Sequence, residues 1–485
     1  MKRRNPMDRE SLITGCWIHG REVVTHRFWS VEDPAERAVI ARVHTASEEE
    51  VNQAVCSSAQ AFANWRMLSP EKRSELIKKW AELLKRNAER LSEVLSLEVG
   101  KPIRSARSEV VSAADFLDYC ATEGIRISAR YSDSGFIVIR EPVGICGIIT
   151  PYNYPLSTLA VKVGPALMAG CTAIVKPDEH TPLSSLMAAK LALDAGIPPG
   201  VINVLCGPGE EAGRLLVRHP SVRLISFTGS TKVGKEIYAE CSAYIKRVIL
   251  ELGGNCPAII ASDASWERHL DSITQQTFKN TGQYCYRITR IIVHKSIYES
   301  FTARFVEKTR NLRVGNPKSE ETQLGPLNNL KIYENFRRQI LSVLEHGGEM
   351  LLGEVPEETP SGGYFVRPVV FRNVPTSARI GFQEYFGPVA FIIPFSDDDE
   401  ALELANDTIF GLAAYIFTED YRRALRWSRN IEAGSIWVNR IHQARFDAPF
   451  GGFKQSGIGR EKSLHGIEAF TELKTLYFKL DGDHR

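Results

Sequence analysis

From Val143 to Ile260 the chain alternates short apolar strands with helical stretches, and this alternation constrains its fold more than any other feature. GICGIIT, CTAIVKP, GVINVLC, VRLISFTG and RVILELGG read as strands, with LAVKVGPALMAG and SLMAAKLALDAG as helices between them. Strands this apolar, each separated from the next by a helix, belong to a parallel sheet covered on both faces. A second α/β pattern follows from Ala261 to about Phe453, with strands near RIIVHK, VVFRNV, VAFIIPF, LAAYIFT and SIWVNR. Ahead of these, residues 48–91 carry apolar positions at helical spacing, and another helix is expected around Val110–Glu123. ISARYSDSGFIVIREPVG alternates instead, as strands joined by a turn at Ser132–Gly135. The C-terminal ELKTLYFKL reads as a lone strand, which needs a partner sheet.

A chain of 485 residues implies two to four domains at roughly 100–200 residues each. Sixty Lys and Arg against 58 Asp and Glu leave a formal charge of +2, so no broad field favours nucleic acid or a membrane surface. MKRRNPMDRESLITG lacks the apolar core of a secretory signal, and no run approaches the roughly 18 apolar residues of a membrane span. Nine cysteines without a CxxC pair argue for reduced thiols, against a disulfide scaffold, and against a bound metal. The expectation is a soluble cytoplasmic protein with no nucleic-acid or membrane partner.

Four segments could carry chemistry. GPGEEAG at Gly207–Gly213 is one residue too long for a dinucleotide fingerprint and reads as a tight strand-to-helix turn. Phe227–Gly234, also between strand and helix, combines hydroxyls, glycines and a helix N-terminus able to hold a pyrophosphate. Cys285 stands apart from the other cysteines in the polar loop Asn280-Thr281-Gly282-Gln283-Tyr284, a setting compatible with a reactive or an inert thiol. Glu251 ends an apolar strand; buried there it would be a general base of raised pKa, and turned outward merely a solvated carboxylate.

Seven motifs occur in one order: Pro151-Tyr152-Asn153-Tyr154-Pro155, Val175-Lys176-Pro177-Asp178-Glu179, Phe227–Gly234, Leu250-Glu251-Leu252-Gly253-Gly254, Gly282-Gln283-Tyr284-Cys285, Glu384-Tyr385-Phe386-Gly387-Pro388, and Pro449–Gly457. Together they strongly resemble the NAD(P)-dependent aldehyde dehydrogenase superfamily, from about Val39 to Phe478. The resemblance implies that Cys285 attacks the aldehyde, that Asn153 and the Cys285 N–H hold the oxyanion, and that Glu251 activates water to hydrolyse the thioester left after hydride transfer. Lys162 matches a proton-relay position. Cofactor contacts are implied for Thr150, Pro151, Tyr152, Lys176, Glu179, Gly229, Ser230, Gly234, Leu252, Glu384 and Phe386. A carboxylate at Glu179 would repel a 2′-phosphate, which favours NAD with NADP as the second choice.

The departures concern the substrate. Tyr154, Tyr284, Tyr286, Arg287, His442 and Arg445 are the expected substrate contacts. Arginine suits bidentate capture of an anion, so a polar or anionic aldehyde such as a semialdehyde is one reading, and a solvated rim of charges is the other. Arg290 is expected to be structural, and Arg104 and Arg107 to lie on an outer helix face. By the same resemblance the fold is α/β: a Rossmann-type NAD-binding domain (1–125 and 145–251, rejoined by 456–469), an α/β catalytic domain (252–455), and oligomerisation strands at 126–144 and 470–485. Edge strands of that kind need covering, which implies a homodimer or homotetramer. The rival readings are an acylating dehydrogenase that passes the thioester to coenzyme A, a cysteine hydrolase pairing Cys285 with His442, and a catalytically silent relative.

Overall fold

The computed structural model describes residues 14–128, 131–133, 136–443 and 445–478. Parts of the expected cofactor domain (1–13) and of the expected oligomerisation strands (129–130, 134–135 and 479–485) lie outside the described residues, as does position 444. The architecture is α/β. Among the described residues no helix is long and apolar enough to cross a membrane, and all nine cysteines are free thiols.

Two large sheets organise the chain. The first has eight strands, of which five are parallel: Ile202–Val204, Thr172–Lys176, Ile145–Ile149, Val222–Thr228 and Arg247–Glu251, in that spatial order. Numbered along the chain this is 3-2-1-4-5, a doubly wound arrangement. Cys16–Ile18 and the two-residue Gly457–Ile458 add antiparallel strands on either side. The second sheet runs Glu349–Leu352, Val369–Arg372, Val389–Phe395, Ile288–His294, Cys256–Ile260, Ala413–Phe417 and Ser435–Val438, parallel except for the first. Thr471–Tyr477, the lone C-terminal strand, pairs antiparallel with Phe136–Pro142, which in turn pairs with Tyr131–Asp133.

Local sequence explains the first helices. Ser47 and Glu50 close a capping box on Glu48–Trp65, and Ser69 with Pro70 starts Pro70–Arg86. Their indoles dock them on the sheet's helices, Trp65 donating to the Leu167 carbonyl and Trp80 to that of Ala188. The helices Pro155–Ala169 and Leu183–Asp194 lack side-chain caps of their own. Distant carboxylates serve instead. Glu109 accepts from the Leu156 and Ser157 N–H groups at 3.0 and 3.1 Å, and Glu98 from those of Leu183 and Ser184 at 2.8 and 3.1 Å. Burial pushes Glu98 up to about 7. Glu109 is balanced by a wholly buried ion pair with Lys101, whose ammonium also donates to the Asn153 carbonyl at 2.8 Å.

Removing one member of a buried pair strands the other charge, at about 3–5 kcal/mol. Lys101→Met should destabilise the protein by that order, and Lys101→Met/Glu109→Gln should recover part of it, because the Gln carbonyl still accepts from Leu156 and Ser157. Denaturant unfolding of the three proteins checks this; a double variant no more stable than Lys101→Met would contradict it.

Candidate active site

A cavity of about 2130 Å³ lies against the C-terminal ends of the first sheet's strands and is walled opposite by the second sheet's loops. One end sits where the strand order reverses, between Ile145–Ile149 and Val222–Thr228. Open α/β sheets bind ligands at that switch point. Thr150, Pro151 and Tyr152 follow the first strand, Gly229 and Ser230 follow the second, and all five line the cavity with Leu252. Ser230 caps the helix Thr231–Ser242, its Oγ accepting from the Val233 N–H at 3.3 Å, which sets a helix N-terminus at the wall. The Thr150, Tyr152 and Thr228 hydroxyls are buried there without partners. Lys176 ends its strand in a 3.0 Å ion pair with Glu179, and the Phe386 ring meets Tyr152 edge-on at 6.0 Å. Gly234 is a correction: it is absent from the cavity wall, and a side chain there would strike Leu252, so the glycine serves helix packing. The Gly207–Gly213 turn forms a widened helical turn over Gly209–Gly213, and Pro208, Gly209 and Gly213 join the cavity wall.

The other end holds Cys285. Asn280, Thr281 and Gly282 all have left-handed backbone (φ 53°, 56° and 73°), and a Cβ at Gly282 would lie 2.1 Å from the Gly387 carbonyl. Thr281 donates to the Gly325 carbonyl and Gln283 accepts from the Asn328 N–H, so the loop is pinned on both sides. Asn153 is buried against it, its side-chain amide donating to the Gln283 carbonyl at 3.0 Å. Glu251 is buried at its strand end with Oε1 unpartnered. Burial first, then Glu461, holds its carboxyl well above the usual range. Burial, with Glu251 and Glu384 nearby, pushes the Cys285 thiol up as well. Glu384 accepts from the Gly254 N–H at 3.1 Å and is pushed up to about 7 by burial. Lys162, on the first sheet's most buried helix, is paired with Glu461 at 2.5 Å and donates to Ser226, facing Glu251 electrostatically rather than by contact.

The expected substrate contacts divide. Tyr154, Tyr284, Tyr286 and His442 line the cavity, with ring centroids 5.4 Å apart for Tyr154–Tyr284, 4.0 Å for Tyr284–Tyr286 and 4.4 Å for Tyr286–His442. Arg287 does not. It follows Tyr286 and points the opposite way, its guanidinium spent on the Tyr385, Thr277, Ile288 and Val389 carbonyls. Arg445 is exposed and paired with Asp447 at 2.5 Å, away from the cavity. His442 is present but uncharged: burial, then Lys462 and Lys279, push it down to about 2. Arg290 is structural, holding Asn255 and the Leu404 and Ala405 carbonyls, and Arg107 is bound to surface glutamates. Arg104 is an exposed residue at the cavity rim.

Positive charge at this end comes from lysines the motifs did not single out. Lys279 lies 5.6 Å from the Tyr284 ring centroid and Lys462 4.6 Å from that of Phe450; both line the cavity, and neither has an ion-pair partner among the described residues. Glu461 was missed too. Lys462 and Glu461 sit in a run, GREKS, that reads as ordinary solvated charge. The one sequence signal was the run's proximity to the Pro449–Gly457 motif.

Residues 19–476 match the family model described as the aldehyde dehydrogenase family. The chain is 39% identical over 470 residues to the mitochondrial succinate-semialdehyde dehydrogenase of Arabidopsis thaliana, covering 96% of this chain and 88% of that protein. It is 37% identical to the 3-sulfolactaldehyde dehydrogenase of Pseudomonas putida, covering 96% of each. The crystal structure of Staphylococcus aureus betaine aldehyde dehydrogenase with NAD+ superposes with a TM-score of 0.93 at 30% identity, covering 96% of this chain and 95% of that one.

A thiol whose pKa is raised stays protonated past the ordinary range, and its thiolate fraction grows about tenfold per pH unit below that pKa. Alkylation of Cys285 by iodoacetamide, followed by mass spectrometry, should therefore keep accelerating beyond pH 9. A plateau near pH 8.5 would mean that burial and the two glutamates do not hold the proton.

Proposed function

Because this chain belongs to the aldehyde dehydrogenase family and oxidises an aldehyde to a carboxylic acid with NAD(P)+, we propose that Cys285 is its nucleophile, Asn153 its oxyanion donor and Glu251 its general base. The observation that carries this reading is one cavity wall bringing together a thiol, a buried amide and a carboxyl of raised pKa. Each group alone is ambiguous; their convergence is what acyl-transfer chemistry requires.

The residues present fit the dinucleotide. Unpartnered hydroxyls of Thr150, Tyr152 and Thr228 and the helix N-terminus after Ser230 cluster at the switch point, with Lys176 and Glu179 beyond them. Glu179 favours NAD over NADP, since its carboxylate opposes a 2′-phosphate. Bound NAD(P)+ supplies the oxidant that takes the thiohemiacetal to the thioester.

The chain's own groups do the rest. The Cys285 proton leaves to solvent as sulfur attacks the carbonyl carbon, a transfer that Glu251, made a stronger base by burial, assists without retaining the proton. The developing oxyanion is held by the Asn153 amide, whose backbone the Lys101 ammonium fixes through the Asn153 carbonyl. Glu251 then removes a proton from the water that hydrolyses the thioester, and the Lys162–Glu461 pair shapes the field in which it does so. A base aimed at the thioester favours hydrolysis over transfer to coenzyme A.

The first sheet with its helices (14–125, 145–251 and 456–469) is the cofactor unit and 252–455 the catalytic unit. The strands within 126–144 and 470–485 join copies of the chain. Thr471–Tyr477 is an edge strand with Leu473 and Tyr477 largely exposed, a liability that pairing with a second copy removes. Light scattering should give a mass of two or four chains; a monomer would refute this. The substrate is an aldehyde with an anionic end, in line with the two relatives named for succinate semialdehyde and 3-sulfolactaldehyde and with unpaired lysines beside the nucleophile.

A panel of anionic, neutral and cationic aldehydes with NAD or NADP tests the reading. Anionic members should turn over best, and Cys285→Ala should abolish all of it. Asn153→Ala should cost about 10²–10³ in kcat. Glu251→Gln should still release a stoichiometric burst of reduced cofactor while losing steady turnover by about 10²–10⁴; unchanged turnover would remove Glu251 from the mechanism.

A further inference from the structure

Lys462 is held in a backbone conformation that lysine avoids. Its φ of 60° with ψ of −179° is a region occupied almost only by glycine, and Ser463 beside it also has positive φ, 50°. Such strain persists where the surrounding structure over-determines it, and it gathers at ligand sites. Here the strained residue carries an ammonium into the reacting end of the cavity and lays it against the Phe450 ring.

Neither Lys462 nor Lys279 meets a carboxylate at ion-pair distance among the described residues, and the anions near them are otherwise engaged. Glu461 is paired with Lys162 and Glu109 with Lys101, while Glu251, whose field reaches Lys462 without an ion-pair contact, is held toward its neutral form by burial. Two half-buried cations without counterions flank His442, which they help keep neutral. Burial lowers the pKa of both lysines, so an anion arriving from solution between them supplies the counter-charge that their ammonium forms lack.

We propose that Lys462 and Lys279 form the subsite for the substrate's far end, an ω-carboxylate whose two oxygens each meet one ammonium, with Lys462 as the residue that sets specificity. This rests on the reading of an anionic aldehyde and adds which groups recognise it. The lysines take the place first expected of Arg287 and Arg445.

Lys462→Gly tests this without a folding penalty, since glycine relieves the positive φ; its Tm should equal or exceed that of the parent. The parent should prefer succinate semialdehyde to butanal. In Lys462→Gly, kcat/KM for succinate semialdehyde relative to butanal should fall about 10- to 100-fold, chiefly through KM, and Lys462→Arg should restore most of it. Lys279→Met should lower the same ratio. Independently of turnover, the rate of Cys285 alkylation by iodoacetate relative to neutral iodoacetamide should fall in Lys462→Gly. If the parent prefers the semialdehyde and Lys462→Gly keeps that preference, the carboxylate is bound elsewhere and the subsite is wrong while the function stands. Equal losses on both aldehydes would mean a structural role and overturn the assignment. No preference in the parent would overturn the anionic reading and the subsite together.

Discussion

The loops that carry the reacting groups meet through backbone that no side chain could separate, and the chemistry depends on that closeness. A Cβ at Gly254 would stand 2.3 Å from the Cys285 carbonyl, and one at Gly282 would stand 2.1 Å from that of Gly387. The first contact seats the Cys285 loop directly on the segment that follows Glu251. The second presses the same loop against the turn after Glu384. Thiol and carboxyls therefore share one small volume because chain segments distant in sequence approach to van der Waals contact.

That volume is largely buried, and its electrostatics follow from burial. Burial opposes ionisation, so Glu251, Glu384 and Cys285 all bind protons more tightly than they would in water. Charges that must remain are paired: Lys101 with Glu109, and Lys162 with Glu461. The first pair does two further tasks, closing the uncapped N-terminus of Pro155–Ala169 and fixing the Asn153 carbonyl. Against this background of compensated charge, unpaired Lys279 and Lys462 stand out.

The substrate end shows how residue type can mislead when direction is unknown. An arginine next to the nucleophile suggests an anion clamp, yet Arg287 lies one position along from Tyr286 and faces the neighbouring strand, tying loop carbonyls to the sheet. His442 reaches the cavity, but burial first, and then Lys462 and Lys279, keep it from holding a proton. The cations that do face the site come from positions with no distinctive local pattern, one at a helix end and one in a charged turn.

Periodicity and punctuation determined the parallel strands from Ile145 to Glu251 and the second α/β layer, because burial on both faces demands continuous apolar runs that helices separate. The ordered motifs likewise determined the family and singled out Cys285, Glu251 and Asn153, since those residue types are rarely interchangeable in this chemistry. The tertiary structure alone decided which side chains face the cavity, which charges have partners, and that the Gly207–Gly213 turn joins the wall. Those outcomes depend on contacts between residues hundreds of positions apart, such as Lys162 with Glu461, and on single backbone angles, such as φ at Lys462, which local sequence does not encode.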